Sequence, residues 1–451
     1  MSKQRIQLSD HFTYSRLLRF VLPCIGTMLF TSIYGIVDGL CVSNFVGKTA
    51  FAAVNLIMPL PMLLGTIGFM LGTGGSAIVG ITLGEGDQKK ADRYFTLFLL
   101  AALVSVSVLA VLGIVFLRPI AVLLGAKGEL LDYAVRYGRI LMVSLPTFAL
   151  QNMFQSFFVT AEKPHLGFWF TVGAGCTNMV LDVLMVGIWG WGVEGAAIAT
   201  FISQLVGGVL PVFYFIDRSN SSRLHLCKTS FYSKVLRDAC INGSSELMTN
   251  LSMSLVNILY NYQLLRFAGE NGVAAYGVIM YAAFLFVAVF VGYAVGSAPI
   301  VSYHYGARNH AELNNLYSKS LRLIGVIAVV MTALSMLVIP YVARIFVGYD
   351  AELLALTSHA FRVYALNFFL MGFNVYGSSF FTALGDGVTS ALISFLRTLL
   401  FQLLALIFLP MVLGIEGVWL AVTAAEAGAL CVTVLMFITK DKVFHYRKAS
   451  C

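Results

Sequence analysis

Twelve long apolar stretches alternate with short polar segments along the chain. They cover residues 17–45, 51–78, 94–117, 130–160, 166–188, 193–216, 239–265, 273–301, 317–341, 355–382, 388–411 and 416–439. About 20 apolar residues in a helix span a bilayer core of roughly 30 Å. Lipid offers no partner to a backbone N–H or C=O, so only helices and closed barrels cross it. Barrel strands would alternate in polarity over about 10 residues. These stretches are continuously apolar, so the pattern predicts an all-α integral membrane protein with twelve transmembrane helices.

Sliding the chain on itself reveals a duplication at a constant shift of 222 residues. Phe45-Val46-Gly47 followed by Ala52-Ala53 meets Phe267-Ala268-Gly269 followed by Ala274-Ala275. Gly74 meets Gly296, Gly84 meets Gly306, and Thr160-Ala161 meets Thr382-Ala383. Gly192-Val193-Glu194-Gly195 meets Gly414-Ile415-Glu416-Gly417. Each half holds six spans, an even number, so both enter the membrane in the same direction and form parallel lobes. The domains follow: residues 1–216 as N-lobe, 217–238 as a cytoplasmic linker, 239–451 as C-lobe. The Ser-rich, basic linker reads either as a passive connector or as a segment that lets the lobes move.

Composition narrows the class. Charged residues make up 11% of the 451, hydrophobic residues 59%, and mean hydropathy is +0.87. A soluble protein carries about a quarter charged residues, so a soluble enzyme is excluded. The net charge of +8 reflects topology rather than nucleic acid. With the N-terminus inside, 20 Lys and Arg fall in inner segments, among them Lys3, Arg5 and Lys448. Eight fall in outer segments, and Arg397 lies within a span. The positive-inside rule then puts both termini in the cytoplasm. Cys24, Cys41, Cys176, Cys227, Cys240, Cys431 and Cys451 form no CxxC pair and are odd in number, so they read as plain thiols. No GxxxxGK[ST] phosphate loop is present, which leaves an ion gradient as the energy source.

Ionisable residues inside a membrane are costly, on the order of 2.5–3.5 kcal/mol on insertion scales, and mark function. Asp38 lies 19 residues after Arg19 in the first span, and Asp182 lies 19 after Lys163 in the fifth. Helical rise puts both roughly 28 Å from the inner flank. Asn178 is one turn before Asp182 on the same face. Thr200 in the sixth span comes to about the same level. Two carboxylates, an amide and a hydroxyl form an oxygen-rich site for a desolvated alkali cation or a shared proton. The alternative is that the two acids face water near the outer surface. Glu246 in the seventh span reads as an acceptor for a proton or cationic substrate, or as a helix-end cap. Glu426 and Arg397 read as a structural pair. Tyr34, Gln151, Asn152, Met153, Gln155, Asn257, Tyr260 and Asn374 are candidates to line a cavity.

With these residues in place, the chain resembles multidrug and toxic compound extrusion (MATE) transporters, in the bacterial DinF-like and MepA-like branches. The most specific stretches are Val37-Asp38-Gly39, Leu83-Gly84-Glu85-Gly86-Asp87, Asn178-x-x-Leu181-Asp182, Gly195 to Gln204, and Tyr305-Gly306-Ala307-Arg308. The resemblance implies a V-shaped fold and efflux of amphipathic or cationic compounds in exchange for Na⁺ or H⁺. It also implies no cofactor, a monomer, and a multi-pass prokaryotic plasma-membrane location. Its N-lobe cation site carries over onto Asp38, Asn178, Asp182 and Thr200, and Pro23 matches a first-span proline at which the helix bends. The tenth span here has no acid, which shifts coupling to the N-lobe. A flippase or exporter of a lipid or lipid-linked substrate is the alternative.

Overall fold

The computed structural model describes residues 6–46 and 48–447. Lys3, Arg5, Gly47, Lys448 and Cys451 lie outside them. All regular structure among the described residues is helical: α1 Tyr14–Phe45, α2 Lys48–Ile57, α3 Pro59–Gly84, α4 Gln88–Leu123, α5 Gly128–Thr160, α6 Pro164–Asp182, α7 Gly192–Gln204, α8 Leu210–Ile216, α9 Ser233–Asn242, α10 Ser244–Gly306, α11 His310–Val347, α12 Ala351–Ala365, α13 Phe368–Ala383, α14 Gly387–Phe395, α15 Phe401–Leu413, α16 Ile415–Thr439 and α17 Asp441–Phe444. Wider π turns follow α6 at Val183–Ile188, α7 at Leu205–Val209 and α14 at Leu396–Leu400.

Nine of these helices, or ten with one bent pair, are long and apolar enough to cross a membrane. Two local features make up the twelve. As one straight rod, the 63 residues of α10 would run about 95 Å. Instead the chain folds back at Gly269, where φ is 60° and ψ −149°. The ring of Tyr260 stacks on Tyr276 at 4.8 Å, and the Tyr276 hydroxyl donates to Asn257 Oδ1 at 3.1 Å. Residues so far apart in sequence meet only across a hairpin, so α10 is two spans. The other feature is α5, whose apolar signal is diluted by Glu129, Asp132, Arg136 and Arg139 near one end and by Gln151, Asn152 and Gln155 within. The bent pair is α12 and α13, at 46°. The second span breaks too, at Met58 ahead of Pro59.

Membrane helices bury small residues and turn large ones to lipid. In α4 the buried residues include Ala102, Val106, Ala110, Gly113, Leu117 and Ala121, while Val104, Val108, Val111 and Val115 are exposed. In α11 the inward face is Ile324, Ala328, Ser335, Ile339 and Ala343. Apart from Ala110 the two sets coincide at the 222-residue shift, so the duplication extends to packing.

The lobes meet by bare backbone at the end that carries the linker and both described termini. A Cβ on Gly84 would lie 2.0 Å from the Tyr303 carbonyl oxygen, and one on Gly306 would lie 2.0 Å from that of Ile81. Each contact is the image of the other under the shift. Gly243 presses on the Met70 carbonyl in the same way. The N-terminal segment straps this end. Leu8 N donates to Glu162 Oε1 at 3.0 Å and Phe12 N to Glu312 Oε1 at 2.9 Å, and His11 Nδ1 lies 2.5 Å from Glu312 Oε2.

The linker is docked rather than loose. Its backbone N–H groups at His225 and Cys227 donate to Asp92 Oδ1 and Thr96 Oγ1 of α4, at 3.0 and 3.1 Å. Arg223 binds Glu162 at 2.6 Å and lies over the Tyr303 ring. Between α13 and α14, Asp386 pairs with Lys440 at 2.7 Å. Burial pushes its carboxyl up, but Lys440 and Thr389 outweigh that and hold it below the usual carboxylate range.

Candidate functional site

In the N-lobe, α1, α6 and α7 pack against one another. Gly175 of α6 lets the rings of Phe30 and Tyr34 approach within van der Waals contact. One helical turn further on is Asn178, buried, and after it Asp182, fully buried at the start of a π turn. Such turns often mark functional positions because they re-aim side chains. The carboxyl groups of Asp38 and Asp182 come within hydrogen-bonding reach of each other. Ionised, both are acceptors only, so neither can serve the other without a proton. Asp38 Oδ1, both oxygens of Asp182, Thr200 Oγ1 and Gln204 Oε1 are buried with no hydrogen-bond partner among the described residues.

Two members of this interior were not singled out from the sequence. Tyr137 of α5, 1% exposed, lies close enough to both acids to feel their charge. Gln204 is one turn beyond Thr200, and that i+4 spacing was a readable signal. Nothing in the sequence pointed to Tyr137, because it depends on how α5 rotates against α1 and α6.

A cavity of about 410 Å³ lies against the C-lobe. Glu246, Asn257 and Tyr260 line it, beside Arg397 and Glu426, and Thr73, Ser76, Ala77 and Ser156 close it from the N-lobe. Arg397 Nε donates to Glu426 Oε1 at 2.8 Å. Asn374 Nδ2 donates to Glu426 Oε2 at 2.7 Å, and Thr433 Oγ1 donates to Asn374 Oδ1 at 2.8 Å. Asn374 therefore stands behind the wall, supporting Glu426.

The remaining candidates fall elsewhere. Tyr34 engages Gln151 within the N-lobe. Asn152 and Met153 are buried in α5, with Asn152 Nδ2 unpartnered among the described residues. Gln155 borders a small crevice with Cys24 and Thr27. Helix α1 passes through Pro23 without a break, and the Pro23 carbonyl accepts from Thr27 Oγ1 at 2.9 Å. No cluster of three or more His, Cys, Asp or Glu suited to a metal occurs among the described residues.

Twelve spans in two like halves, with an under-satisfied polar interior and a cavity between them, define a membrane transporter rather than an enzyme. The family model described as MatE matches residues 23–184 and again 247–407, once in each lobe, and the chain belongs to that family. Among its relatives is the multidrug export protein MepA of Staphylococcus saprophyticus, 20% identical over 434 residues and 95% of each chain. MepA of Staphylococcus aureus is 21% identical over 433 residues, again 95% of each. A solved structure described as the outward-facing conformation of a multidrug resistance MATE family transporter matches with a TM-score of 0.92, 24% identity and 99% of each chain. A MATE crystal structure in the straight conformation matches at 0.91 with 24% identity, over 99% of this chain and all of the other. At these identities the structural likeness speaks for the fold.

Proposed function

We propose that this protein is a secondary active multidrug exporter of the plasma membrane. By alternating access it moves amphipathic, often cationic compounds outward in exchange for Na⁺ or H⁺. A monomer with both termini in the cytoplasm is the working unit, in a prokaryotic cell. The names of the MepA relatives support the export reading. The observation that carries the coupling is the N-lobe pair: two buried carboxylates within reach of each other, with oxygens that no donor among the described residues serves. Buried polar atoms left unpaired are costly, and a cation or proton shared by Asp38 and Asp182, with Asn178 and Thr200 adjoining, removes that cost. Na⁺ needs both acids ionised, whereas H⁺ needs one of them to take it up. Glu246 is then an accessory acid facing the substrate. A lipid flippase finds little support, since Glu426 offsets the charge of Arg397.

The test is drug efflux from vesicles under separately imposed Na⁺ and pH gradients, for wild type and Asp38→Asn. Efflux that ignores both gradients overturns antiport. Asp38→Asn and Asp182→Asn variants that transport as well as wild type overturn the site assignment.

A further inference from the structure

The C-lobe cavity contains a cation that ion coupling in the N-lobe does not use. Arg397 sits on the π turn Leu396–Leu400 and lines the cavity with its side chain 14% exposed. Its partner Glu426 is fully buried and has a donor on each oxygen, from Arg397 Nε and from Asn374. The guanidinium is less complete. It has five N–H donors, and among the described residues only the one on Nε has an acceptor. The Nη edge is left for something within the cavity. Glu246 lines the same cavity and feels the charge of Arg397, yet has no ion-pair partner among the described residues.

Arg397 and Glu426 offset one another, so a purely cationic substrate would meet Glu246 and leave the Nη edge without an acceptor. A substrate with a carboxylate as well as a cationic centre satisfies both ends. Guanidinium and carboxylate match through two parallel N–H···O bonds, which fixes orientation as well as adding attraction. We propose that Arg397 anchors the anionic group of the substrate, and that this cavity prefers amphipathic zwitterions to otherwise identical monocations. The cationic end lies toward Glu246, and tyrosine, methionine and phenylalanine side chains hold the apolar body. This rests on the exporter reading above and deepens it.

Rhodamine B and its ethyl ester share one cationic chromophore and differ in whether the carboxylate is free. Their binding to purified protein in lipid nanodiscs, read by fluorescence anisotropy with no gradient, isolates the anion. A site built around a charged group rejects the analogue that lacks its partner, so wild type binds the free acid at least ~10-fold more tightly than the ester. Arg397→Gln combined with Glu426→Gln removes both charges together and avoids stranding one. That double variant loses the preference and binds the ester as wild type does. Glu246→Gln weakens both dyes alike and keeps the preference, which covers the case in which the double variant does not fold. Equal or tighter binding of the ester by wild type overturns the proposal. So does a folded double variant that keeps the preference or loses both dyes in proportion. Preference in nanodiscs without gradient-driven efflux in vesicles would sink the coupling reading and leave this one standing; the converse separates them the other way.

Discussion

Asn152 and Asn374 occupy equivalent places in the two halves, as do Gln204 and Glu426, yet their surroundings differ. In the C-lobe, Asn374 and Glu426 bond each other, and Thr433 and Arg397 complete the network. In the N-lobe, Asn152 Nδ2 and Gln204 Oε1 are buried without partners among the described residues. Asp38 falls where the second half has Tyr260, which stacks on Tyr276. A buried polar atom without a partner costs about 1–3 kcal/mol. Buried polar atoms without a partner among the described residues occur in both halves, Tyr260 and Gln263 in the C-lobe included, but those of Asp38, Asp182, Thr200 and Gln204 fall in one N-lobe interior. Most buried positions of α4 and α11 coincide at the shift, so the difference is not one of scaffold. Packing was largely retained after duplication, whereas Asn152 and Gln204 lack, among the described residues, the mutual bond that Asn374 and Glu426 have.

The comparison can be broken at its strongest point. Asp182→Asn should lower gradient-driven efflux by about 100-fold or more while the protein still folds, since an amide neither exchanges a proton nor binds a cation as a carboxylate does. Undiminished transport would mean that the N-lobe polarity is incidental. Next, Glu426→Gln gives the C-lobe the residue type of its mate, Gln204. It strands Arg397 in a nearly buried site, at a cost of about 3–5 kcal/mol, read as a lower unfolding midpoint in detergent. A neutral result would mean that the C-lobe network is not self-contained.

Symmetry is tested by Gly84→Ala and Gly306→Ala. Each forces a methyl group into a facing carbonyl, an overpacking cost of about 1–3 kcal/mol. The two should cost the same, and each should raise thiol labelling at the end where the lobes meet. The smallest effect is expected at the Asp386–Lys440 pair. Lys440→Gln should destabilise by about 0.2–1 kcal/mol at neutral pH. Because Asp386 is held below its unfolded value, its contribution is present above that value and fades as pH falls through the lowered one. Wild type and variant should therefore begin to converge only as pH falls below about 4, and meet once pH is below the lowered value of Asp386.

The twelve spans, the duplication and the placement of Asp38 beside Asp182 were legible because each depends on periodicity or helical rise. The Arg397–Glu426 pair was legible as two opposite charges in apolar surroundings. Asn374 was not legible as its third member, since its role depends on the rotation of α13 against α16. Tyr34, Gln151, Asn152 and Met153 suggested a cavity wall by being polar or soft, yet polarity within a span serves lobe interiors as readily as cavities. Helix breaks were hidden as well. Gly269 turns α10 back inside an unbroken helical signal, and Met58–Pro59 interrupts an apolar run without changing its hydropathy.

The glycine crossings also set how the lobes can come apart. Dispersion attraction loses a quarter to a half of its depth once a gap of about 0.5–1 Å opens. Charged contacts reach further, to a screening length of about 8 Å. At Gly84 and Gly306 no side chain can stretch, swing or change rotamer to follow a departing surface. That part of the interface senses separation over less than an atomic diameter, so it behaves as a latch with two positions rather than as a spring.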